Sequence, residues 1–333
     1  MKKEHNPTPT IRDIVKMTGL SIGTVSNYLN GKAVKAANKV KIEEAISKLG
    51  YVVNEYARGL ATGTTKTIGV IIPSFSNTFY GDLASEINQK LELNDYSVIL
   101  NEHNFDVEKE KKIINNMIVR RVDGIIVVPA SRDSTNYKSL NNNKVVFVDK
   151  YVDGLDGFDF VLLNNRKAAG LACNEFLKHG HKKVAIIYNN WNSFTGRERY
   201  KGFVEFAEKH NIEVDAFTYD ERVEYAYQQV QEILSKKKYT GIFASNYIST
   251  LGTIFYMNEK DIKVPDDVSL IGFDDIMLTG LFKPKLTIVN QPLNLIAEAV
   301  VNSLLDRMKA PKDKGKITTI DAQLIIGESV KTI

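Results

Sequence analysis

The chain has 333 residues, of which 43% are hydrophobic and 25% are charged, a composition typical of a globular protein with two or three domains. No apolar run approaches the roughly 18 residues that a membrane-spanning helix needs, and the N-terminal lysines are not followed by the apolar segment of a signal peptide. The single cysteine, Cys173, excludes an internal disulfide framework, so we expect a cytoplasmic protein without a membrane partner.

The net charge of +4 is unevenly distributed along the chain. Residues 1–66 contain eleven Lys and Arg against five Asp and Glu, a net charge of +6, whereas the remainder has a net charge of −2. Clustered positive charge neutralises phosphates and raises the rate of encounter with a polyanion. The basic N-terminal segment is therefore a candidate for nucleic-acid binding, although a solvated basic surface explains the charge alone equally well.

The first two predicted helices lie on either side of Gly19. Thr10 and Asp13 have the spacing of a capping box, and the apolar residues that follow share one helical face. Gly19 is predicted to end this helix in a left-handed turn, and Ser21 is predicted to cap the second helix. A third apolar pattern over residues 38–49 completes a small three-helix core. The segment is thus predicted to be a helix-turn-helix domain.

The second helix contains the side chains that could meet DNA. Ile22, Val25 and Leu29 have the spacing to pack against the first helix. Small or amide side chains occupy the outward positions, and such groups suit phosphate contacts and base edges in a major groove. Two helices around a glycine also occur in proteins that bind no nucleic acid, so the motif alone leaves a purely structural role open. The outward positions are Gly23, Thr24, Ser26 and Asn27.

Residues 54–67, NEYARGLATGTTKT, join this head to the rest of the chain. Asn54 is a predicted N-cap, one or two turns of helix formers follow it, and the segment ends in Gly and Thr. A helix of this length is unstable alone in water. The segment is either a helix that needs a partner or a flexible linker.

Eight strand-like apolar runs, several of them separated by helix-period segments, follow the linker. Continuous apolar strands that alternate with amphipathic helices indicate parallel sheets covered on both faces, and a break near Asn164 and Asn165 divides them into two doubly wound α/β subdomains. The runs are TIGVII, SVILN, GIIVV, VVFVD, FVLL, KVAIIY, GIFAS and SLIGFD. The predicted domains are a head of residues 1–52, a linker of 53–66 and a body of 67–333, the last with subdomains of about 67–162 with 291–320 and about 163–290 with 321–333.

Pockets in doubly wound folds form beyond the carboxyl ends of the strands. Amide and carboxylate groups at such ends can hydrogen-bond to vicinal hydroxyls, and an aromatic ring can stack on the face of a sugar or a nucleoside. Aromatic residues near strand ends are more often part of the core, so the three aromatic candidates are the weaker ones. The rule nominates Pro73 to Phe79, Asp149, Tyr188 to Trp191, Asn246 and Asp274, and the candidate contacts within the two ranges are Phe75, Asn77, Phe79 and Trp191.

An enzyme is the competing class, because doubly wound sheets host many enzymes. No G-x-G-x-x-G follows a predicted strand, and GTTKT lacks the Gly-Lys-Ser/Thr order of a phosphate loop. His179 and His181 flank Gly180 at a predicted helix end, which a helix C-cap explains better than a metal. Cys173 falls on the apolar face of a predicted helix. We therefore expect no catalytic residue, no metal site and no cofactor.

Three stretches of the chain resemble the lactose-repressor (LacI/GalR) family of bacterial transcription regulators. They are TVSNYLNG, EAISKLGYVVNEYARGLATGTTKTIGVIIP and GFDD, and the resemblance extends from Thr10 to about Val330. It implies a helix-turn-helix that reads operator DNA, and a body like a periplasmic sugar-binding protein with an effector between its subdomains. It also implies a homodimer on a near-palindromic operator, since two heads meet two half-sites.

The resemblance assigns roles in DNA binding to single residues. Residues 22, 23 and 27 would read bases, and residues 24, 26 and 30 would face phosphates. Asn27 stands where many members of the family have Arg, and an Asn favours pairing with adenine. Segment 54–60 would be a hinge helix in which Leu60 enters the minor groove and Ala57 makes the close contact. The DNA-binding residues expected are Thr10, Ser21, Ile22, Gly23, Thr24, Ser26, Asn27, Asn30, Asn54, Ala57, Arg58 and Leu60.

The resemblance also places Arg199 in RERYKGF, Asn246 in ASNYISTLG and Asp274 in GFDD at the effector-contacting positions of the family. These three groups predict a carbohydrate or nucleoside-like effector. Whether the effector releases or promotes DNA binding, and whether a phosphocarrier protein is a co-regulator, stay open. The alternatives are a carbohydrate-binding protein or an α/β enzyme without DNA regulation, and the basic helix-turn-helix argues against both.

Overall fold

The computed structural model describes residues 9–52, 63–138, 140–220, 222–236, 238–274, 282–310 and 314–333. The chain divides into two compact units, residues 1–66 and 67–333. The first comprises the predicted head and linker, and the second is the predicted body. The predicted hinge residues Asn54, Ala57, Arg58 and Leu60 lie outside the described residues. No helix of the described part of the chain is long and apolar enough to span a membrane.

The head contains three helices, α1 (Ile11–Thr18), α2 (Ile22–Leu29) and α3 (Ala36–Leu49). The carboxylate of Asp13 accepts a hydrogen bond from the backbone N–H of Thr10 at 2.8 Å, and Gly19 follows α1 with φ of +67°. The hydroxyl of Ser21 accepts a hydrogen bond from the N–H of Thr24 at 3.2 Å, which confirms the predicted cap of α2. Four fully buried side chains form the small core: Ile14, Val25, Ile42 and Ala45.

The body alternates strands and helices. In chain order its elements are β1 (Thr67–Ile72), α4 (Thr78–Glu92), β2 (Ser97–Glu102), α5 (Val107–Val119), β3 (Gly124–Val127), β4 (Val145–Val148), β5 (Asp159–Leu163), α6 (Asn165–Lys178), β6 (Lys183–Asn189), α7 (Phe194–Lys209), β7 (Glu213–Tyr219), α8 (Val223–Ser235), β8 (Gly241–Ala244), α9 (Tyr247–Glu259), β9 (Ser269–Phe273), β10 (Thr287–Asn290), α10 (Leu293–Lys309), β11 (Ile317–Ile320) and β12 (Gln323–Ile325). A short 3₁₀ turn, Asn142–Lys144, precedes β4.

These strands form two six-stranded sheets. The first has the order β11-β5-β4-β3-β1-β2 and is parallel throughout, whereas the second has the order β12-β10-β9-β8-β6-β7 and is parallel except for β12, which is antiparallel to β10. Each sheet has an apolar cluster on both faces. The prediction of two doubly wound subdomains is thereby confirmed.

The chain passes between the two sheets three times. The crossovers follow β5, β10 and β11, so each subdomain is assembled from separate stretches of sequence. All eight predicted strands are present, and β7, β10, β11 and β12 are strands that the sequence did not predict. Residues after the first crossover and within the second, Asn165 and Gln291, are hydrogen-bonded to side chains of the cavity described below.

The two neighbouring histidines and the cysteine belong to the scaffold. His179 is the C-cap of α6, and Cys173 is fully buried in the apolar cluster between α6 and the second sheet. His181 is buried, and its ring nitrogens contact the Thr240 hydroxyl at 2.7 Å and the carbonyl oxygen of Lys331 at 3.1 Å. These contacts attach the C-terminal segment to the second subdomain.

Candidate functional site

A cavity lies in the body between the carboxyl ends of strands from both sheets. It brings together six of the predicted effector residues: Asn77, Phe79, Asp149, Arg199, Asn246 and Asp274. The other two, Phe75 and Trp191, do not line it, and their side chains are 49% and 51% exposed. Nine further residues line the cavity: Tyr80, Phe105, Lys150, Asn189, Ser193, Thr195, Tyr247, Ile248 and Gln291.

Two aspartates occupy matching positions in the two subdomains. Asp149 follows β4 and Asp274 follows β9, and both have left-handed backbones with φ of +70° and +71°. Their N–H groups donate to the carbonyls of Val161 at 3.0 Å and Val289 at 2.9 Å, so each aspartate is fixed to the neighbouring strand. Non-glycine residues rarely adopt this conformation, and such strain is concentrated at ligand sites.

The hydrogen bonds of the two carboxylates come from opposite parts of the body. Asp274 accepts from the Gln291 amide at 2.6 Å and from the N–H of Tyr247 at 3.2 Å. Asp149 accepts from the Tyr80 hydroxyl at 3.3 Å. Burial raises the pKa of both carboxyls above the ordinary value of 3.8. The positive charges of Lys150 and Arg199 oppose that rise in the pKa of Asp149, and the charge of Arg199 opposes it in the pKa of Asp274.

Arg199 lies between these carboxylates and is 3% exposed. Its Nε donates to Asn165 Oδ1 at 2.8 Å, its Nη1 donates to the carbonyl of Ser245 at 2.7 Å, and its guanidinium lies 3.6 Å from the centre of the Phe273 ring. The donors that remain for a ligand are those of Nη2 and the second proton of Nη1. Arg199 is therefore part of the scaffold of the cavity as well as a candidate ligand contact.

The close approach of α6 and α7 sets the distance between Asn165 and Arg199. Gly202 lies one turn after Arg199 on α7, and a Cβ atom there would be 2.2 Å from the carbonyl oxygen of Arg166. A side chain at this position would separate the helices. The glycine thus permits the hydrogen bond between Asn165 and Arg199.

Two of the four amide residues of the cavity, Asn77 and Asn246, are also helix N-caps. Asn77 caps α4 by accepting from the N–H of Phe79 at 3.1 Å. Asn246 caps α9 by accepting from the N–H of Ser249 at 2.8 Å, and its side chain also bonds Asn189 and the hydroxyl of Tyr219. These bonds hold the amide groups in one orientation at the cavity.

The residues predicted to read DNA lie on α2. Gly23 and Asn27 are exposed. Ile22 is 54% exposed, so the prediction that it packs against α1 is wrong: Val25 alone of the three apolar residues is fully buried. A side chain at the first position of α2 points away from the small core, which leaves Ile22 available to a partner.

The polar residues of α2 are bonded to one another. The hydroxyls of Ser21 and Thr24 are 2.9 Å apart, and the amide of Asn30 donates to the Ser26 hydroxyl at 3.3 Å. Thr10, at the start of α1, bonds Asp13 with both its N–H and its hydroxyl. These hydrogen bonds fix the side chains locally, and Thr24, Ser26 and Asn30 are half-buried.

Some lining residues were accessible to sequence reasoning. Lys150 and Asn189 lie at strand ends that the strand-end rule had already marked, but the rule does not say which of two neighbouring side chains enters the cavity. Phe105 follows β2 at a distance of three residues, and Gln291 follows β10, a strand that the sequence did not predict. The rule therefore found the location of the cavity and six of its fifteen lining residues, Asn189 included.

Residues 173–330 match the family of periplasmic binding protein-like domains. The chain is 30% identical over 340 residues to the HTH-type transcriptional repressor PurR of Haemophilus influenzae, an alignment that covers 97% of this chain and 99% of that protein. The fold is similar to that of the lac repressor dimer bound to operator and the anti-inducer ONPF, with a TM-score of 0.86, 22% identity and coverage of 98% of this chain and 100% of that one. It is also similar to the complex of the transcriptional regulator CelR with cellobiose, with a TM-score of 0.72, 21% identity and coverage of 96% and 99%.

Proposed function

The chain belongs to the LacI/GalR family of bacterial transcription regulators, and from this membership we propose that it is a repressor that binds a near-palindromic operator as a homodimer and responds to a carbohydrate. The family consists of ligand-controlled DNA-binding proteins, so an enzymatic role is not part of the proposal. Such a repressor would act in the cytoplasm, where bacterial DNA lies. The observation that carries the proposal is the convergence of Asp149, Arg199, Asn246 and Asp274 on one cavity.

The chemistry of the cavity favours a ring with several hydroxyl groups. The carboxylates of Asp149 and Asp274 accept protons of hydroxyls, and Arg199 and Asn246 donate to hydroxyl oxygens. The ring of Phe79, which lines the same cavity, offers an apolar face to the carbons of a sugar. The cellobiose complex of the similar regulator CelR supports a carbohydrate as the class of effector.

The DNA-binding part of the proposal rests on the head. Ile22, Gly23 and Asn27 are the residues that we propose to read bases, because they are exposed on α2. Phosphate contacts are assigned to the hydroxyl and amide groups at both ends of α2 and at the start of α1. The hinge residues, which the structure does not describe, complete the proposed interface: Asn54, Ala57, Arg58 and Leu60.

A dimer is supported by the lac repressor, whose structure contains a dimer bound to operator, and by the surface around the edge strand β2. Leu100 on β2 is 39% exposed, and Leu93, just before the strand, is 83% exposed. Ile118 and Val119 at the end of α5 are 51% and 81% exposed. A cluster of exposed apolar side chains beside a free sheet edge is typical of a surface that another chain covers.

Coupling between ligand binding in the cavity and DNA binding by the head would depend on the crossovers, which connect the two subdomains of the body. Arg199 is bonded to Asn165, which follows the first crossover, and Asp274 is bonded to Gln291 in the second. A ligand that engages Arg199 and Asp274 can thus favour one relative orientation of the subdomains. Couplings of this kind are typically about 1–3 kcal/mol and are reciprocal between the two sites.

The experiment that tests the proposal starts with operator selection from random palindromic DNA by the full-length protein. We expect one enriched palindrome, whose affinity falls steeply with salt concentration because the head neutralises phosphates. A chain that begins at Thr67, and so lacks the head, should not bind the selected DNA. No enrichment by the full-length protein, or equal binding by the headless chain, would contradict the proposal.

A further inference from the structure

Lys150 is a cation of the cavity that the proposed contacts to hydroxyl groups do not use. It follows Asp149 at the end of β4 and lines the cavity. Its Nζ lies 5.0 Å from the centre of the Phe105 ring, which is part of the same wall. Among the described residues, no carboxylate oxygen lies within 4.0 Å of Nζ, so Lys150 forms no ion pair there.

Arg199, the second cation of the cavity, has different surroundings from Lys150. Arg199 has the charges of both Asp149 and Asp274 around it, and two of its nitrogens are bonded to protein groups. Its charge is therefore balanced within the protein. Lys150 contacts the ring of Phe105, and its charge also acts on the carboxylates of Asp149 and Glu110 without forming a salt bridge to either, so the protons of its Nζ are available to a ligand.

The loop that carries Phe105 is strained in a way that keeps the ring at the cavity. Asn104 and Phe105 both have positive φ, of 53° and 60°, although bulky side chains rarely adopt this region. Strain of this kind persists only where the surroundings enforce it, and it is concentrated at ligand sites. The loop thus holds the Phe105 ring at the cavity, where the Nζ of Lys150 lies over it.

The start of α7 lies at the same end of the cavity as Lys150. Phe194, the first residue of α7, has its ring centre 6.3 Å from that of Tyr151, which follows Lys150 in sequence. Ser193 and Thr195 on either side of Phe194 line the cavity with hydroxyl groups. The first turn of a 16-residue helix carries a partial positive charge that adds to that of Lys150.

We propose that the effector is a carbohydrate with an anionic substituent, a phosphate or a carboxylate, that binds Lys150 while the ring hydroxyls bind Arg199 and Asp274. This inference rests on the proposed function and specifies its ligand. Lys150 is then the residue that distinguishes the anionic sugar from its neutral parent. A phosphate would form a hydrogen bond with Nζ in which both partners are charged, whereas in the bond to a neutral hydroxyl only Nζ is charged.

The test is calorimetry of the full-length protein with matched pairs of sugars. The pairs are glucose and glucose 6-phosphate, fructose and fructose 6-phosphate, ribose and ribose 5-phosphate, and N-acetylglucosamine and its 6-phosphate; glucuronate and galacturonate are the carboxylate arm. We expect the anionic member of at least one pair to bind about tenfold tighter than the neutral member or more. If a uronate binds and none of the sugar phosphates does, the anionic group of the effector is a carboxylate.

Variants separate recognition by Lys150 from a general effect of charge. Lys150→Met should remove the preference for the anionic sugar, and Lys150→Arg should keep it because the charge is retained. Lys112→Met is the matched control, since Lys112 is an exposed lysine of α5 that does not line the cavity, and it should leave the preference unchanged.

Three outcomes would overturn the inference: neutral sugars that bind as tightly as their anionic partners, an unchanged preference in Lys150→Met, or no binding by any sugar of the panel. In the first outcome, Lys150 only compensates Asp149 and contacts Phe105, and the proposed function still stands. The operator selection decides the proposed function independently, because it needs no sugar.

Discussion

Replacing Arg199 by methionine should destabilise the body strongly. Methionine retains an apolar stem to pack on Phe273 but removes the charged hydrogen bonds to Asn165 and Ser245, at 2.8 and 2.7 Å. Two charge-assisted bonds at about 1.5–3 kcal/mol each give about 3–6 kcal/mol. The range agrees with the roughly 3–5 kcal/mol lost when one partner of a buried charge cluster is removed. That is a large share of a typical unfolding free energy of about 5–15 kcal/mol.

The loss of unfolding free energy in Arg199→Met should depend on pH, because Arg199 opposes the rise in the pKa of Asp149 and Asp274. Without Arg199 both folded-state pKa values rise further above the unfolded value, so the folded variant binds more protons than the unfolded one. Stability of the variant then increases as the pH falls through the raised pKa and decreases as the pH rises through it. The difference from the wild type is therefore largest near neutral pH and smaller in acid.

Urea denaturation at about pH 7.5 and about pH 5 measures both effects. Arg166→Met is the control: Arg166 is 47% exposed and pairs with Glu198 at 2.7 Å and Glu205 at 2.9 Å, so its loss should cost no more than about 1 kcal/mol. A loss below about 1 kcal/mol for Arg199→Met, or a loss that grows in acid, would refute the role assigned to Arg199.

Three further changes have expected outcomes. Gly202→Ala should lower the midpoint of thermal unfolding because the new Cβ meets the Arg166 carbonyl, at a cost of about 1–3 kcal/mol or more. Gly170→Ala on α6 is the control and should leave the midpoint unchanged, since the nearest atom to its Cβ is 3.7 Å away. Equal thermal shifts in the two variants would argue against the close approach of the helices. Ser21→Ala should lower the stability of the head by about 1 kcal/mol, because α2 loses its N-cap. Circular dichroism during heating measures this loss, and melting of the helix signal identical to that of the wild type would contradict it. Leu60→Ala should reduce DNA bending on permuted sites without unfolding the protein, and bending equal to that of the wild type would exclude the minor-groove wedge.

The fold followed from the sequence where strands are buried along most of their length, which holds for seven of the eight predicted strands. The eighth, β2, is a partly exposed edge strand that its run from Val98 to Leu100 predicts. β7 was missed because it is an edge strand whose sequence, EVDAFTY, has no apolar run longer than two residues. β11 and β12 are short edge strands, and β10, TIVN, has only two consecutive apolar residues.

The sequence predicted the location of the cavity better than the identity of the residues that line it. The strand-end rule nominated Asp149, Asn246 and Asp274 because a parallel sheet collects its carboxyl ends at one edge. Aromatic residues were chosen by type, and the choice of Phe75 and Trp191 did not place them in the wall. Which aromatic ring enters a cavity depends on loop backbone, such as the strained turn at Phe105, and no sequence pattern encodes that turn.

The structural role of Arg199 was also beyond the sequence. The resemblance indicated a ligand contact, whereas the structure shows that Nε and Nη1 are bonded to Asn165 and Ser245. Its partner Asn165 belongs to the helix after the first crossover, and contacts between crossovers and cavity depend on the three-dimensional path of the chain. An alanine at this position would therefore test stability and ligand binding together, and Asp274 is the cleaner position for a functional test.

The central claim is that one cavity in the body controls DNA binding by the head, and operator titration with Asp274→Asn tests it most directly. The titration measures the Kd for the selected operator at fixed salt, with and without the sugar identified by calorimetry, for the wild type and the variant. We predict that the sugar changes the wild-type Kd by about 5–150-fold and leaves the Kd of Asp274→Asn unchanged, since the asparagine cannot accept as a charged group. A variant that responds at the wild-type sugar concentration, or a wild type whose operator Kd is indifferent to every sugar that binds it, would contradict the account.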